Sequence, residues 1–184
     1  MLYILSGTSR SGKTLVANEF LKKTGIPYMS VDSIMMGFTN GIPDYGIHDR
    51  LWPDEIAEKM WPFYKAMCDN MIWSQVDYLL EGEAFLPRYL RELIDDNPEK
   101  VKVAFMGYSQ ADLAEKVKEV KAYSAERIDW LTEEPQAYIE DHIKNMIEYS
   151  AMIKTECTQY EIPYFDISSD FKHSIDKVLN YLTL

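Results

Sequence analysis

The chain has 184 residues, 47% hydrophobic and 27% charged, an ordinary globular composition long enough to bury a core without disulfide or metal staples. Its net charge of −11 and pI near 4.7 are opposite to the basic footprint of a nucleic-acid binder. No stretch approaches the roughly 18 consecutive apolar residues of a membrane span. The opening Met-Leu-Tyr-Ile-Leu-Ser is too short an apolar run for a signal peptide. Cys68 and Cys157 have neither CxxC spacing nor a His partner at ligand distance, so they read as reduced thiols of a cytoplasmic protein.

In chain order, the apolar run Leu2–Leu5 predicts a short buried strand ended by the Ser6-Gly7 turn signal. Lys13–Lys22 reads as a helix stopped by Thr24-Gly25, and Pro27–Val31 as a second strand. Gly37–Trp52 carries Gly, Pro, Asn and Asp at turn spacing and predicts a long loop beside the ligand. Asp54–Ser74 has helical periodicity (Ile56, Met60, Phe63, Met67, Met71), with Pro62 as a kink. A third strand at Tyr78–Leu80 precedes a short helix opened by Leu86-Pro87 and closed before Asn97-Pro98. Val101–Met106 is a fourth strand, Ala111–Val120 a charged helix, and Pro135–Tyr160 a long helix with proline in its first turn. Tyr164–Ile167 and Phe171–Leu182 supply the last strand and helix. This alternation predicts an α/β fold, one domain over 1–184, with helices layered on a five-stranded, mainly parallel sheet. Ligands of such sheets bind beyond the carboxyl ends of the strands.

Gly7-Thr8-Ser9-Arg10-Ser11-Gly12-Lys13-Thr14 satisfies G-x-x-x-x-G-K-[ST] at every defined position, between a strand and a helix. Glycines let the backbone turn tightly enough for consecutive N–H groups to converge on phosphate oxygens, and the following helix points its positive end at the same place. Lys13 is expected at the β- and γ-phosphates, and Thr14 on Mg²⁺. Arg10 either contacts phosphate or points to water. At ordinary residue frequencies the pattern arises by chance in roughly one such chain in a hundred or fewer. Nucleotide binding is the expectation.

No Asn-Lys-x-Asp and no LSGGQ-like segment occurs, which removes GTPase-type guanine recognition and the transporter signature. Asp32 follows the second strand in Tyr28-Met29-Ser30-Val31-Asp32-Ser33-Ile34. A carboxylate there either takes the proton of an acceptor hydroxyl lined up with the γ-phosphate, or caps the next helix, and one side chain can do both. On the P-loop and this Val-Asp-Ser segment the chain resembles the P-loop kinases that include chloramphenicol phosphotransferase and the zeta-toxin-like kinases. That resemblance implies Asp32 as catalytic base, ATP as nucleotide and a small-molecule acceptor. Phe105-Met106-Gly107-Tyr108, Ile128-Asp129-Trp130, Glu156-Cys157 and Tyr164-Phe165-Asp166 resemble an uncharacterised bacterial branch of P-loop kinases. That second resemblance implies the nucleoside-monophosphate-kinase sheet plan, with a helical lid between strands four and five.

In Glu81-Gly82-Glu83, Glu81 is the better candidate for Mg²⁺ through water or for the acceptor; the alternative is a solvated strand end. The lid expectation covers 108–134, with Lys121 and Arg127 as cations stabilising transferred charge. A solvated face with i,i+4 pairs such as Asp112–Lys116 explains Lys116 and Lys118 equally well. Trp52, Trp61, Tyr64 and Trp73 lie where an acceptor pocket would form, and read first as core. His48, His142 and His173 show no metal spacing. With few arginines (Arg10, Arg50, Arg88, Arg91, Arg127), a neutral hydroxyl acceptor is favoured over a nucleoside monophosphate. The competing expectation is an NTP-binding or slow NTPase module working through a protein partner. The acceptor and the oligomeric state are not written in the sequence.

Overall fold

Period-two alternation along the strands decides which layer each helix joins. A computed structural model describes residues 1–48, 50–124 and 130–184. Its five strands are β1 (Leu2–Gly7), β2 (Tyr28–Ser30), β3 (Tyr78–Glu81), β4 (Val101–Gly107) and β5 (Tyr164–Asp166). They form one sheet in the order β2-β3-β1-β4-β5, with every pairing parallel. Leu2 and Ile4 of β1, Leu80 of β3 and Val101, Val103 and Phe105 of β4 face one core cluster. Leu5, Leu79, Ala104 and Met106, one step along, face the other.

On the second face pack α1 (Lys13–Thr24), through Val16, Ala17 and Phe20, and α7 (Phe171–Thr183), through Val178 and Leu182. On the first face lie α3 (Pro53–Trp73) and α4 (Pro87–Asp96), joined by the C-terminal half of α6 (Gln136–Gln159) through Ile153 and Cys157. The result is a three-layer α/β fold. The N-terminal half of α6 and α5 (Leu113–Ser124) make a third, separate cluster from Val117, Val120, Leu131, Ile139 and Ile143.

The expected loop at Gly37–Trp52 is partly wrong: α2 runs Val31–Gly41, and Pro43–Tyr45 form a 3₁₀ turn. Ile34, Met35 and Phe38 of α2 pack on the core. Thr39 and Asn40 bond back to the carbonyls of Met35 and Met36, at 3.0 and 3.1 Å, so these poor helix formers do not break the helix. Pro62 lies within continuous α3. Trp61 and Tyr64 are core residues as expected, whereas Trp52 and Trp73 are 50% and 82% exposed.

Candidate active site

The phosphate loop leaves β1 pinned on both sides. Thr8 N–H donates to the Met106 carbonyl at 3.0 Å, and the Thr8 hydroxyl meets the Ser150 hydroxyl of α6 at 2.6 Å. Ser150 Oγ also accepts from Tyr108 N–H at 3.0 Å. Gly7 (φ 123°) has no room for a side chain: a Cβ there would stand 1.8 Å from the Met106 carbonyl oxygen. Gly12 (φ 87°) caps α1 with no side-chain hydrogen bond, and the first turn of α1 carries no acidic residue. Its N–H groups and positive end are therefore left for an anion.

Two side chains fit that reading. Ser11 is fully buried with its Oγ unpartnered, and Lys13 Nζ folds back onto the Thr8 carbonyl at 2.7 Å. A buried ammonium bonded to its own loop, beside an orphaned hydroxyl, fits a phosphate group. Arg10 takes the left-handed conformation (φ 58°), and its guanidinium lies 5.4 Å from the Trp130 ring centroid.

Next to this loop the carboxyl ends of β2 and β3 assemble an acidic edge. Glu81 is the last residue of β3 and is 2% exposed, so it is not a solvated strand end. Thr14 Oγ1 donates to its Oε1 at 3.3 Å. Burial raises the Glu81 pKa, opposed by Lys13 and reinforced by the negative charge of Asp32. The Thr14 hydroxyl and Glu81 carboxylate are hard oxygen donors that fit Mg²⁺, an ion that keeps several waters and takes few protein ligands.

Asp32 is not the N-cap of α2. Ser30 is, its side chain accepting from Asp32 N–H at 3.4 Å. The helix starts two residues earlier than a cap at Asp32 requires, placing the carboxylate in its first turn. There it sits at the end of β3: a Cβ built on Gly82 would stand 3.1 Å from Asp32 Oδ1. Thr14, Asp32 and Glu81 are thus brought together beside Lys13.

The expected lid cations are not assembled in the same way. Lys121 is exposed and donates to Gln136 Oε1 on α6. Arg127 lies outside the described residues. Lys118 pairs with Glu115 at 2.7 Å on a solvated face. Lys116 turns inward instead, 4.5 Å from the Tyr108 ring centroid, and its acidic partner is Glu119 at 3.1 Å rather than Asp112. Asp112 instead accepts from the N–H of Glu115 at 3.0 Å.

Sequence reasoning also set Glu83 second to Glu81 and missed two buried tyrosines. Glu83 Oε1, Tyr108 Oη and Tyr149 Oη are sealed from solvent without partners. Burial raises the pKa of both phenols, and the Glu83 carboxylate is the strongest charge acting on each. Only the Glu81-Gly82-Glu83 segment hinted at this group. Two clefts of about 270 and 370 Å³ lie elsewhere, at the amino ends of the strands around Met1, Lys100 and Lys102. Among the described residues no group of three or more His, Cys, Asp or Glu side chains could hold a metal. No helix among them is long and apolar enough to cross a membrane. Cys68 and Cys157 are free and buried, burial pushing the Cys68 thiol up to about 12.

No family model matches the chain, and no curated protein matches its sequence. Solved structures do. A shikimate kinase from Bacteroides thetaiotaomicron superposes with a TM-score of 0.60 at 14% identity, over 100% of this chain and 99% of that one. A gluconokinase from Sinorhizobium meliloti 1021 gives 0.58 at 13% identity, over 98% and 90%. A sugar kinase from Janibacter sp. HTCC2649 gives 0.54 at 16%, over 99% and 94%. At such identities the likeness speaks for architecture: the chain has a shikimate-kinase-like P-loop fold.

Proposed function

We propose that this protein is a small-molecule kinase that moves the γ-phosphoryl group of ATP to a hydroxyl or phosphate of its acceptor, with Mg²⁺. The observation that carries the reading is the Asp32 carboxylate, set at the end of β3 beside Gly82 and electrostatically coupled to Glu81. A phosphate loop alone serves switches and motors as well. A carboxylate on the strand edge facing that loop is what an acceptor hydroxyl needs. The structural neighbours named as shikimate kinase, gluconokinase and sugar kinase support this reading. So does the Val31-Asp32-Ser33 resemblance to the chloramphenicol phosphotransferase and zeta-toxin-like group.

For a hydroxyl acceptor, its oxygen bonds to the γ-phosphorus as the bond to the β,γ-bridging oxygen breaks, and that electron pair leaves on ADP. Asp32 orients the hydroxyl and takes its proton, passing it to water. Gly7–Thr14 hold the phosphates by backbone N–H groups. Lys13 exchanges the Thr8 carbonyl for the β- and γ-phosphate oxygens. Thr14, and Glu81 through water, would hold Mg²⁺, which neutralises phosphate charge when bound. Residues 1–184 form one kinase domain in which 108–134 is the lid. The cluster joining α5 to the start of α6, set apart from the two sheet-facing cores, supports this. Lys121 and Arg127 are its candidate cations, and Lys121 must leave Gln136 to act.

Two variants test the reading. Lys13→Ala weakens ATP·Mg²⁺ binding or cripples turnover, measured by calorimetry and coupled ADP release. Asp32→Asn keeps ATP affinity but slows transfer by about 10²-fold, the low end for a general base because a loose transition state needs little early proton removal. Asp32→Asn transferring phosphate at the wild-type rate, to an acceptor found by screening hydroxyl compounds, would remove the base and the main reason for the kinase reading.

A further inference from the structure

Arg10 sits in the middle of the phosphate loop with a left-handed backbone, φ 58°. Among the described residues two other non-glycine positions share that conformation, Gln75 and Glu161. Each directly follows the end of a helix, α3 or α6, where a left-handed residue is ordinary. Arg10 ends no helix. It lies between β1 and α1, where a glycine would hold the same turn without strain. A side chain carried at that cost in a ligand loop points to a use for it.

That side chain reaches the lid. Arg10 Nη1 donates to Ser9 Oγ at 3.2 Å, and the guanidinium carbon lies 5.4 Å from the centroid of the Trp130 ring. Trp130 opens the 3₁₀ turn Trp130–Glu133. The turn is anchored at Leu131, which is fully buried in the cluster of α5 and the start of α6. The Trp130 ring also meets His142 of α6 edge-on, with ring centroids 5.5 Å apart. Yet Trp130 is 55% exposed, so its pairing with Arg10 is open to solvent and to a ligand. One arginine therefore joins the phosphate loop to the α5–α6 unit, side chain to side chain.

A triphosphate changes the balance. A guanidinium over an exposed indole is held weakly, by about 2- to 5-fold in an equilibrium constant. Phosphate oxygens take the same group through two parallel charge-assisted hydrogen bonds. Lys13 rests in a comparable way, its Nζ on the Thr8 carbonyl at 2.7 Å. We infer that Arg10 and Trp130 form a latch between the phosphate loop and the lid, and that the γ-phosphate opens it. Bound ATP draws the guanidinium from the ring onto the γ-phosphate oxygens, which sets a second loop cation beside Lys13 on the group to be transferred. The tie to the lid is undone by the same exchange. ADP lacks that phosphate and leaves the latch shut. The inference rests on the kinase reading and deepens it, making the lid responsive to the γ-phosphate.

The test reads Trp130 fluorescence in the full chain with Mg²⁺, each protein measured against its Trp130→Phe counterpart. The probes are ADP and the non-hydrolysable β,γ-imido analogue of ATP, and calorimetry gives the affinity of each. The analogue is expected to change the Trp130 signal, and ADP is not. Arg10→Gly relieves the strained backbone and so keeps the loop, and it is expected to bind the analogue with no Trp130 response. Trp130→Ala should bind the analogue about 2- to 5-fold more tightly than wild type, and ADP with unchanged affinity, because no ring competes for the guanidinium. Equal responses to ADP and the analogue, a response that survives Arg10→Gly, or an unchanged analogue affinity in Trp130→Ala overturns the latch. A silent latch with phosphoryl transfer to a hydroxyl compound leaves the kinase reading intact. A responsive latch with no transfer to any such compound keeps the latch and removes the kinase. If neither nucleotide binds, both fall.

Discussion

Removing the Ser150 hydroxyl tests whether α6 holds the phosphate loop. Ser150 is fully buried, and its single oxygen serves two groups: the Tyr108 N–H at 3.0 Å and the Thr8 hydroxyl at 2.6 Å. Ser150→Ala leaves a buried backbone donor and a buried hydroxyl unpaired. At about 1–3 kcal/mol for each orphaned group, with the Thr8 hydroxyl free to rotate and recover part, the loss is about 2–4 kcal/mol. A chain of this length shifts its melting midpoint by about 2–4 °C per kcal/mol, so the variant should melt about 4–16 °C lower. Little cavity relief offsets this, because a Cβ built on Gly107 would already stand 2.9 Å from Ser150 Oγ. Thermal unfolding of Ser150→Ala, Thr8→Ala and the double variant closes a cycle whose coupling should be about 0.5–3 kcal/mol. Because Thr8 also presents its carbonyl to Lys13, KM for ATP should rise in both single variants. A midpoint within about 1 °C of wild type and additive single effects would refute the reasoning.

Three further outcomes are expected. Gly82→Ala forces a methyl to 2.3 Å from Val31 Cγ2 and 3.1 Å from Asp32 Oδ1, at φ 155°; it should cost about 2–4 kcal/mol and lower kcat about 10²-fold by displacing Asp32, read by denaturant titration and ADP release. Burial would raise the Asp166 pKa, but hydrogen bonds from Ser109, Ser168 and Lys154 outweigh it and hold the carboxylate below its ordinary 3.8. Its contribution, on the order of 1 kcal/mol with solvent screening, is present above pH 3.8 and lost as pH falls through the folded value, so the gap between wild type and Asp166→Asn in urea melts should close only on acidification past that point. Lys121→Ala should lower kcat with little change in ATP affinity if the lid cation acts, and Lys118→Ala should do neither.

The sequence disclosed what depends on neighbours along the chain. Gly7–Thr14 lie within one turn of backbone, so spacing alone carries the phosphate reading, and parallel β–α alternation carried the sheet. Asp32 was found because it lies just past β2, and the alternative reading of it as the next helix's cap fails because Ser30, two residues earlier, takes the Asp32 N–H. Helix α2 hid behind Gly37, Thr39, Asn40 and Gly41, whose weak propensity is overridden by the packing of Ile34, Met35 and Phe38. Glu81 read as solvated or functional with near-equal force, since burial is a property of the assembled layers. Ser150 could not be read at all: it meets the Thr8 hydroxyl from 142 residues away, and nothing local marks a serine for that use. Lys116 turned inward for the same reason, attracted by a ring on another element.

The unshielded start of α1, with no acidic residue in its first turn, has a kinetic consequence in a chain of net charge −11. Amide dipoles lose their pull within a few ångströms, while the monopole of the surface reaches about 10 Å at 0.1 M salt. An approaching nucleotide polyanion is therefore repelled first and captured only at contact. Added salt relieves the repulsion more than it weakens the capture, so the association rate for ATP·Mg²⁺ should climb with ionic strength. Proteins that gather nucleotides with a broad basic surface show the reverse.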